Sequence, residues 1–594
     1  MEYPILNVKS KSRQMVDVFG GYNHNPRIGD GEFYDMQNMT SDYYPVLAPR
    51  GKRGVYNFNS TGNVKAMIAK EKICYVNGSD FYVGDDRIEM GLSDSDKYLV
   101  SMGAYVIIMP DRKYINTIKT GDEYEWGDID ATYTSEEDVT FTLCTLTGDT
   151  YDTEGKDSDV APENPENGQL WVDTSSTPHT IKKYSSASAM WVSIPTTYIK
   201  ISSKGIGKNF KQYDGVNISG IADEELKSLN ASHALWGCKD DELIIIGLLD
   251  KVTTQTAAQG AITVERKMPV MDFVIESNNR LWGCRYGTSE NGDTVNEIYA
   301  SKLGDFKNWN CFMNISTDSC VLTCGTDGPF TGAITHLGYP LFFKENYIHK
   351  VYGNYPANFQ SQSTECRGVQ KGSSKSLAIV NETLFYKSTN AVCAYDGSLP
   401  VEMSSALGDV RYSDAVACAY GNKYYISMKD VSGNYNLFVY DTAKGMWHKE
   451  DDLQVESFCP YLSEIYAIAW TTGDKTRRIS TMFGSGNPQG TVVAEVPWMV
   501  ETGLIGMTMP DMKYISRLLV RMSLDEGSSA TISIQYDSMG AWEQVYEMEA
   551  TSLRTFSIPI KPRRCDHFRI RIEGEGDCRI YSITKTIEQG SDIS

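Results

Sequence analysis

The sequence contains no run of roughly 18 apolar residues, the length that a membrane-spanning helix requires. Its first residues, MEYPILNVKSKSRQ, carry an acid at position 2 and lack the long apolar stretch of a secretory signal. We therefore predict no membrane anchor, and synthesis and folding in a reducing cytoplasm.

Positive charge is in short supply. The chain has 56 Lys and Arg against 77 Asp and Glu, which gives a formal net charge of -21. Nucleic-acid-binding proteins neutralise phosphates with clustered Lys and Arg, so this balance argues against a stable grip on DNA or RNA. Two interpretations of the negative charge remain open. Either it serves solubility alone, or it lines a channel wall that does not bind passing DNA, because like charges repel.

Histidine is scarce, and the cysteines are not clustered. Seven His are widely spread, and the 13 Cys are an odd number. Cys320 and Cys324 are the nearest pair that could suggest a metal, but they lack a matching second pair and a nearby His. We predict buried free thiols, no metal site and no cofactor.

Familiar catalytic motifs are also missing. The sequence has no Gly-x-Ser-x-Gly, His-Glu-x-x-His or phosphate-loop pattern, and Ser582 and Lys585 form a Ser-x-x-Lys without its companion motifs. Glycoside hydrolysis needs two carboxylates held several Å apart. The acids here fall mainly in turns, such as 85–86, 136–137 and 450–452, where carboxylates are usually solvated. The sequence therefore predicts no catalytic residues and no enzymatic activity.

What the sequence does contain is a pattern of strands. Helical periodicity is almost absent, and segment 222–229, ADEELKSL, is the one stretch that predicts a short helix. Short runs rich in Val, Ile, Tyr and Phe recur elsewhere, separated by Gly, Asn and Asp. The chain is therefore predicted to be all-β.

A two-strand unit recurs along the chain: an apolar strand, a polar turn and a second apolar or aromatic strand. The later copies are spaced by roughly forty residues, which fits propeller blades of about four strands. A β-sandwich also has short strands but a less regular rhythm, so the pattern favours a multi-bladed β-propeller. The copies begin at Lys65, Lys97, Met271, Gly332, Lys375, Ala415 and Ser457.

Segment 121–221 interrupts this rhythm. It is acidic and rich in Ser, Thr and Pro, and then becomes strand-like, which predicts a small β domain inserted at a surface loop. Trp171, Tyr184 and Trp191 allow two interpretations: an exposed platform for carbohydrate, or the core of this small domain. The core is favoured, because the segment has few other large hydrophobic residues.

The end of the chain alternates with a period of two. Apolar residues alternate from Thr531 to Tyr536 and through Phe568, Ile570 and Ile572, which predicts half-buried antiparallel strands of a C-terminal β-sandwich. Six arginines make this region the least acidic, either as strand faces turned to water or as a docking surface for an acidic neighbour. They are Arg554, Arg563, Arg564, Arg569, Arg571 and Arg579.

These patterns divide the chain into four parts. We predict an N-terminal arm with the first propeller blades over 1–120 and an inserted β domain over 121–221. The remaining blades occupy 222–500, and the C-terminal β-sandwich occupies 501–594.

Segment 19–54 reads FGGYNHNPRIGDGEFYDMQNMTSDYYPVLAPRGKRG. Its order of GG-x-N, GE-x-x-D-x-x-N and Pro-x-Leu-x-x-Arg-Gly resembles the N-terminal signature of phage virion tail proteins built around a β-propeller, the nozzle or tail-hub group. Segment 278–310 resembles a blade of the same proteins, with the pattern RLWG, IYAS and GD-F-x-NW. The matching residues are Trp282, Ser301, Gly304, Asp305 and Trp309. The resemblance covers about 15–120 and 225–500.

This resemblance implies a structural component of a bacteriophage tail, located in the virion and assembled in the host bacterial cytoplasm. It implies an oligomeric ring, a nozzle or hub around the DNA-ejection channel, with the hexameric symmetry of related tails. The implied partners are an upstream adaptor or portal-proximal ring and a tail fibre or plug protein, with DNA only in transit. The alternative is a receptor-binding protein (adhesin) at the tail tip or baseplate, which needs exposed aromatic residues on the insertion or the C-terminal domain.

Overall fold

The computed structural model of the protein describes residues 10–55, 62–249, 251–289, 292–470, 476–484 and 496–590. Their regular structure is β-strand apart from five short 3-10 turns, which confirms the all-β prediction. The helix expected at 222–229 is wrong: only the 3-10 turn Lys227–Leu229 forms there. The first helical turn orders several residues for one hydrogen bond, so such a short segment gains too little to become an α-helix.

Seven groups of four strands form a closed ring in the described part of the chain. Neighbouring blades contact each other mainly through their first strands, and blade 1 contacts both blade 2 and blade 7. Each recurring two-strand unit of the sequence coincides with one blade, so the β-propeller is confirmed.

The strands of blades 1 to 3 are as follows. Blade 1 comprises Val64–Ala69, Ile73–Asn77, Asp80–Val83 and Asp86–Ile88; blade 2 comprises Tyr98–Met102, Tyr105–Met109, Lys113–Asn116 and Trp126–Asp128; blade 3 comprises Phe273–Ser277, Arg280–Thr288, Thr294–Ala300 and Cys320–Thr323.

The strands of blades 4 to 7 complete the ring. Blade 4 comprises Gly332–His336, Tyr339–Lys344, Tyr347–Tyr352 and Gln360–Glu365; blade 5 comprises Ala378–Val380, Thr383–Lys387, Val392–Tyr395 and Val401–Glu402; blade 6 comprises Tyr412–Tyr420, Lys423–Asp430, Tyr435–Asp441 and Met446–Lys449; blade 7 comprises Val455–Tyr461, Glu464–Trp470, Arg477–Thr481 and, from the N-terminal arm, Gly54–Val55.

The propeller core consists of apolar layers between successive blades. Tyr75 of blade 1 packs in one cluster with Ile468 of blade 7, at the point where the ring closes. Trp309, which follows the third strand of blade 3, is 2% exposed and lies in the layer between blades 2 and 3. Burial of these layers stabilises the ring, since each blade alone would expose both faces of its sheet.

The inserted β domain lies between blades 2 and 3 in sequence. Its paired strands continue to Arg266, whereas the sequence pattern places the end of the domain at residue 221. The hairpin of 237–246 has the strand–turn–strand pattern of a blade, so pattern alone does not separate it from the propeller. One sheet contains Ala131–Thr134, Thr263–Arg266, Gly215–Ser219 and Ser232–Ala234; a second contains Gly237–Lys239, Glu242–Ile246, Tyr198–Ser202, Val139–Cys144 and Thr253–Gln255; a small third sheet contains Asp157–Ser158, Leu170–Asp173, Thr180–Ser185 and Met190–Ser193.

The C-terminal β-sandwich is folded around one long hairpin, Lys513–Tyr536 and Glu543–Ile558. The first half of Lys513–Tyr536 pairs with Cys578–Gln589, and its second half pairs with Phe568–Glu575. Register shifts between Leu524 and Ser529 separate the two halves. The residues that the period of two places inside are buried: Ile532, Ile534, Phe568, Ile570 and Ile572.

The N-terminal arm joins this sandwich to the propeller. Lys11–Val16 pairs with Cys578–Gln589, and Glu32–Gln37 pairs with Pro497–Thr502 of the sandwich. Gly21–Tyr22 then connects Glu32–Gln37 to Met446–Lys449 of blade 6. The result is one twelve-stranded sheet that runs from the sandwich through the arm into blade 6.

Candidate functional site

The signature segment 19–54 lies at the junction between the sandwich and the propeller, and its glycines permit the close approach of backbones there. Gly21 has φ of +83°, and a Cβ at this position would lie 2.4 Å from the carbonyl oxygen of Trp447. Gly31 has φ of +95°, and its Cβ would lie 2.6 Å from the carbonyl oxygen of Val18. Neither position accommodates a side chain without movement of the backbone.

Asn38 of the signature is 3% exposed and bonds to three parts of the chain. Its side-chain amide donates to the carbonyl of Pro497 at 2.7 Å, and its amide oxygen accepts from Arg50 Nε at 2.9 Å. Its backbone N–H donates to the carbonyl of Glu450, after blade 6, at 2.6 Å. A buried polar side chain with all these partners fixes the arm between sandwich and propeller.

The arginines of the signature form a buried ion cluster with the acids after blade 6. Arg53 lies 2.7 Å from Glu450 and also pairs with Asp451, and Arg50 lies 3.1 Å from Asp451. Burial works to lower the pKa of Arg53, but the charges of Asp451 and Glu450 outweigh it and raise that pKa. The expectation of solvated turn acids is therefore wrong for Glu450, which is 6% exposed, because the arm covers it.

A second ion cluster lies on the sandwich face beside the arm. Glu501 is 6% exposed and accepts hydrogen bonds from Arg569 at 2.8 Å and Arg571 at 2.9 Å. Arg563 pairs with Glu543 at 2.8 Å. The guanidinium groups also stack on aromatic rings: Arg569 on Tyr34, Arg571 on Trp542, Arg563 on Tyr536, Arg554 on Phe556 and Arg579 on Tyr43. Much of the positive charge predicted to dock an acidic neighbour is thus engaged within the chain.

Several charged side chains from different blades also meet near the propeller axis. Lys375, just before blade 5, donates to the carbonyl of Glu456 in blade 7 at 2.9 Å, and Arg477 of blade 7 pairs with Asp96 at 3.0 Å. The indole N–H of Trp470 donates to the Glu456 carboxylate at 2.5 Å. Residues from non-adjacent blades can meet only at the axis of the ring. The hydrogen bond from Arg477 lowers the pKa of Asp96, so this axial carboxyl group is ionised at neutral pH.

The other residues singled out in the sequence do not form a site. Cys320 and Cys324 are buried, and burial raises the pKa of the Cys324 thiol to about 11. Ser582 and Lys585 are three residues apart on one strand and therefore lie on opposite faces, and Lys585 pairs with Asp30 of the arm at 2.5 Å. The described residues contain no group of three or more His, Cys, Asp or Glu that could hold a metal ion.

No helix in the described part of the chain is long and apolar enough to cross a membrane.

The aromatic residues of the insertion are not in its core. The core of the inserted domain is mainly aliphatic and includes Val172 and Ile181 of the small third sheet, whereas Trp171, Tyr184 and Trp191 are outside that cluster. The interpretation of the three rings as the core of this domain is therefore wrong, although Trp171 itself is buried, with 6% exposure. The domain draws its apolar residues from strands as far as Val264, which the sequence assigned to the propeller.

No protein-family model matches this chain, and no curated protein matches it. Solved structures similar to it include an exo-beta-1,3-galactanase from Phanerochaete chrysosporium, with 10% identity over 52% of this chain and 94% of that chain and a TM-score of 0.21. A Trypanosoma rangeli sialidase has 10% identity over 97% and 96%, with a TM-score of 0.20. The phage phi92 endosialidase has 9% identity over 77% and 73%, with a TM-score of 0.24.

The prediction that this chain has no enzymatic activity is contradicted by that comparison, because several of the similar structures are glycoside hydrolases and sialidases. We withdraw the prediction. At these TM-scores the likeness assigns no activity, substrate or catalytic residue to the chain.

Proposed function

We propose that this chain is a structural component of a bacteriophage tail, in which several copies form a ring around the DNA-ejection channel and dock neighbouring tail proteins. The observation that carries the proposal is the position of the signature residues. The segment that resembles phage tail proteins is also the segment that joins the sandwich and blade 6 into one twelve-stranded sheet.

This junction suits a ring subunit for a mechanical reason. A ring closes only if each copy holds its two contact surfaces at a constant angle. Domains joined by a simple linker move relative to each other unless their interface is extensive. Here continuous strand pairing and the buried pair of Arg53 with Glu450 join the propeller to the sandwich, so each copy holds these two parts at a constant angle.

The contacts near the propeller axis favour a DNA passage between copies over one through a single propeller. Lys375, just before blade 5, reaches the carbonyl of Glu456 in blade 7 at 2.9 Å, so one lysine side chain bridges these two blades, a distance far shorter than the width of a DNA duplex. A channel surrounded by several copies has no such restriction. With a net charge of -21 per copy, the wall of that channel repels DNA and prevents it from sticking.

Negative-stain imaging of the purified chain, alone and with its upstream tail partner, tests this proposal. We expect rings with a central channel, and an acidic channel wall at higher resolution. The variant Arg53→Ala should give fewer closed rings, whereas Arg87→Ala, at an exposed pair with Asp80, should assemble normally. Persistent monomers with the partner present, or a basic channel, would contradict the proposal. Virions in which the protein lies off the tail axis would favour the adhesin alternative.

A further inference from the structure

The small third sheet of the inserted domain has two unlike faces. Val172 and Ile181 pair across neighbouring strands and are 0% and 1% exposed, in the core of the inserted domain. On the other face Trp171 is paired with Lys182, and Tyr184 with Trp191. Directly paired residues share a face, so these four side chains lie together on the side turned away from that core.

The three rings of this face, which we call the aromatic face, form one connected group. Trp191 is central: its ring lies 5.4 Å from that of Trp171 and 5.4 Å from that of Tyr184, both edge to face. Trp171 is 6% exposed, and its indole N–H donates to the carbonyl of Ser158 at 3.0 Å. The Trp171 ring is therefore held in a fixed position, whereas the rings of Trp191 and Tyr184 are only half-buried.

The polar atoms of the two outer rings are available to a ligand. Within the described part of the chain, neither the indole N–H of Trp191 nor the hydroxyl of Tyr184 has a hydrogen-bond partner, and neither atom is buried. Beside them, Lys182 pairs with Asp173 at 2.6 Å and lies 4.7 Å from the centre of the Trp171 ring. The hydrogen bonds from Lys182 and Ser175 lower the pKa of Asp173 to about 2, so this pair stays charged.

We infer that the aromatic face binds a neutral oligosaccharide of pyranose units. A pyranose ring has an apolar face of C–H groups and a rim of hydroxyls, which matches half-buried rings that carry free donors beside a polar pair. The surroundings favour a neutral sugar. Lys182 is already neutralised by Asp173, so its ammonium group offers little attraction to an anionic glycan. This inference is independent of the ring proposal.

Calorimetric titration of the full chain tests it, with maltohexaose, cellohexaose and chitohexaose as neutral probes and a heparin hexasaccharide as the anionic comparison. We expect at least one neutral probe to bind. Trp191→Ala should weaken that binding about tenfold or more, since a lost stacking contact of about 1.4 kcal/mol corresponds to a factor of ten. Trp126→Ala, at an exposed tryptophan of blade 2, should bind as the wild type does.

Tyr184→Phe keeps the ring and removes only the hydroxyl, so it gives a result even if Trp191→Ala does not fold. It should weaken binding about threefold or more, the loss of one hydrogen bond. Failure of all three neutral probes to bind, or unchanged binding by both variants, would overturn the inference. Stronger binding of the heparin probe would overturn the neutral class. A change of oligomeric state in Trp191→Ala would instead identify the face as a contact between copies and overturn the sugar site.

Discussion

Arg53 and Glu450 form a buried ion pair at 2.7 Å although they are 397 positions apart in the sequence. Arg53 belongs to the N-terminal arm, and Glu450 follows the last strand of blade 6. Both side chains are at most 10% exposed. The pair therefore holds the arm in place just before the arm adds Gly54–Val55 to blade 7 and closes the propeller.

Loss of one partner of this pair should destabilise the protein strongly. Arg53→Ala leaves the buried Glu450 and the partly buried Asp451 with less compensation, and we expect a loss of about 3–5 kcal/mol in the free energy of unfolding. Chemical denaturation measures it. Arg87→Ala removes an exposed pair, which is screened by solvent, and should have little effect on stability. Equal effects of the two substitutions would contradict the role of the buried cluster.

Two buried histidines should make the protein sensitive to mild acid. Burial, aided by the charge of Lys344, lowers the pKa of His349 from 6.5 to about 4, and burial lowers that of His448 to about 3. Because the unfolded chain binds these protons more readily, stability is full above pH 6.5 and is lost as the pH falls toward 4.

The melting temperature between pH 7.5 and 4.5 measures this loss. His349→Gln removes one titrating group and can keep a hydrogen bond to Thr326, so its melting temperature should fall less steeply with acid. His24→Gln, at a half-buried histidine of the arm, is the comparison variant. Identical slopes for His349→Gln and the wild type would show that other groups cause the acid sensitivity.

The inserted domain should be removable without loss of the propeller. The chain leaves blade 2 and returns to blade 3 side by side, since the N–H of Met268 donates to Asp130 at 2.8 Å. Blades 2 and 3 also contact each other directly. We expect replacement of 131–267 by a short Gly/Ser bridge to leave a soluble, folded propeller with impaired ring closure or docking.

Some stability should be lost in this deletion, because buried Asn308 loses its hydrogen bonds to Gly215 and Asp214. Asn308→Ala in the full chain measures that part separately. Circular dichroism and size-exclusion chromatography report on folding, and assembly of infectious tails reports on docking. Aggregation of the deletion variant would show that the propeller needs the insertion in order to fold. Assembly of infectious tails by the deletion variant would show that the contacts of the insertion are dispensable.

Binding of double-stranded DNA should be undetectable near physiological salt. The net charge is -21, and arginines of the sandwich are engaged by Glu501 and Glu543, so few clustered cations remain to release counterions. A mobility-shift assay over a range of salt concentrations tests this. Micromolar binding with a steep dependence on salt would contradict it.

Local pattern was sufficient to predict the strands and their grouping into blades. Alternation of apolar and polar residues is a property of neighbours in sequence, and each blade is built mainly from consecutive strands, so the units from Lys65 to Ser457 match the seven blades. The same reasoning located the buried strands of the sandwich through Ile532 and Phe568.

The sequence by itself determined the all-β class, the propeller rhythm and the acidic charge, because each depends on composition or on residues close together in the chain. Only the tertiary structure decided which charges are paired, since Arg53 meets Glu450 through contacts between distant segments. It also decided that Trp191 lies on an outer face, because Val172 and Ile181 found apolar partners in strands beyond residue 221. The burial of a side chain depends on the segment that packs against its strand, and the sequence of the strand does not specify that segment.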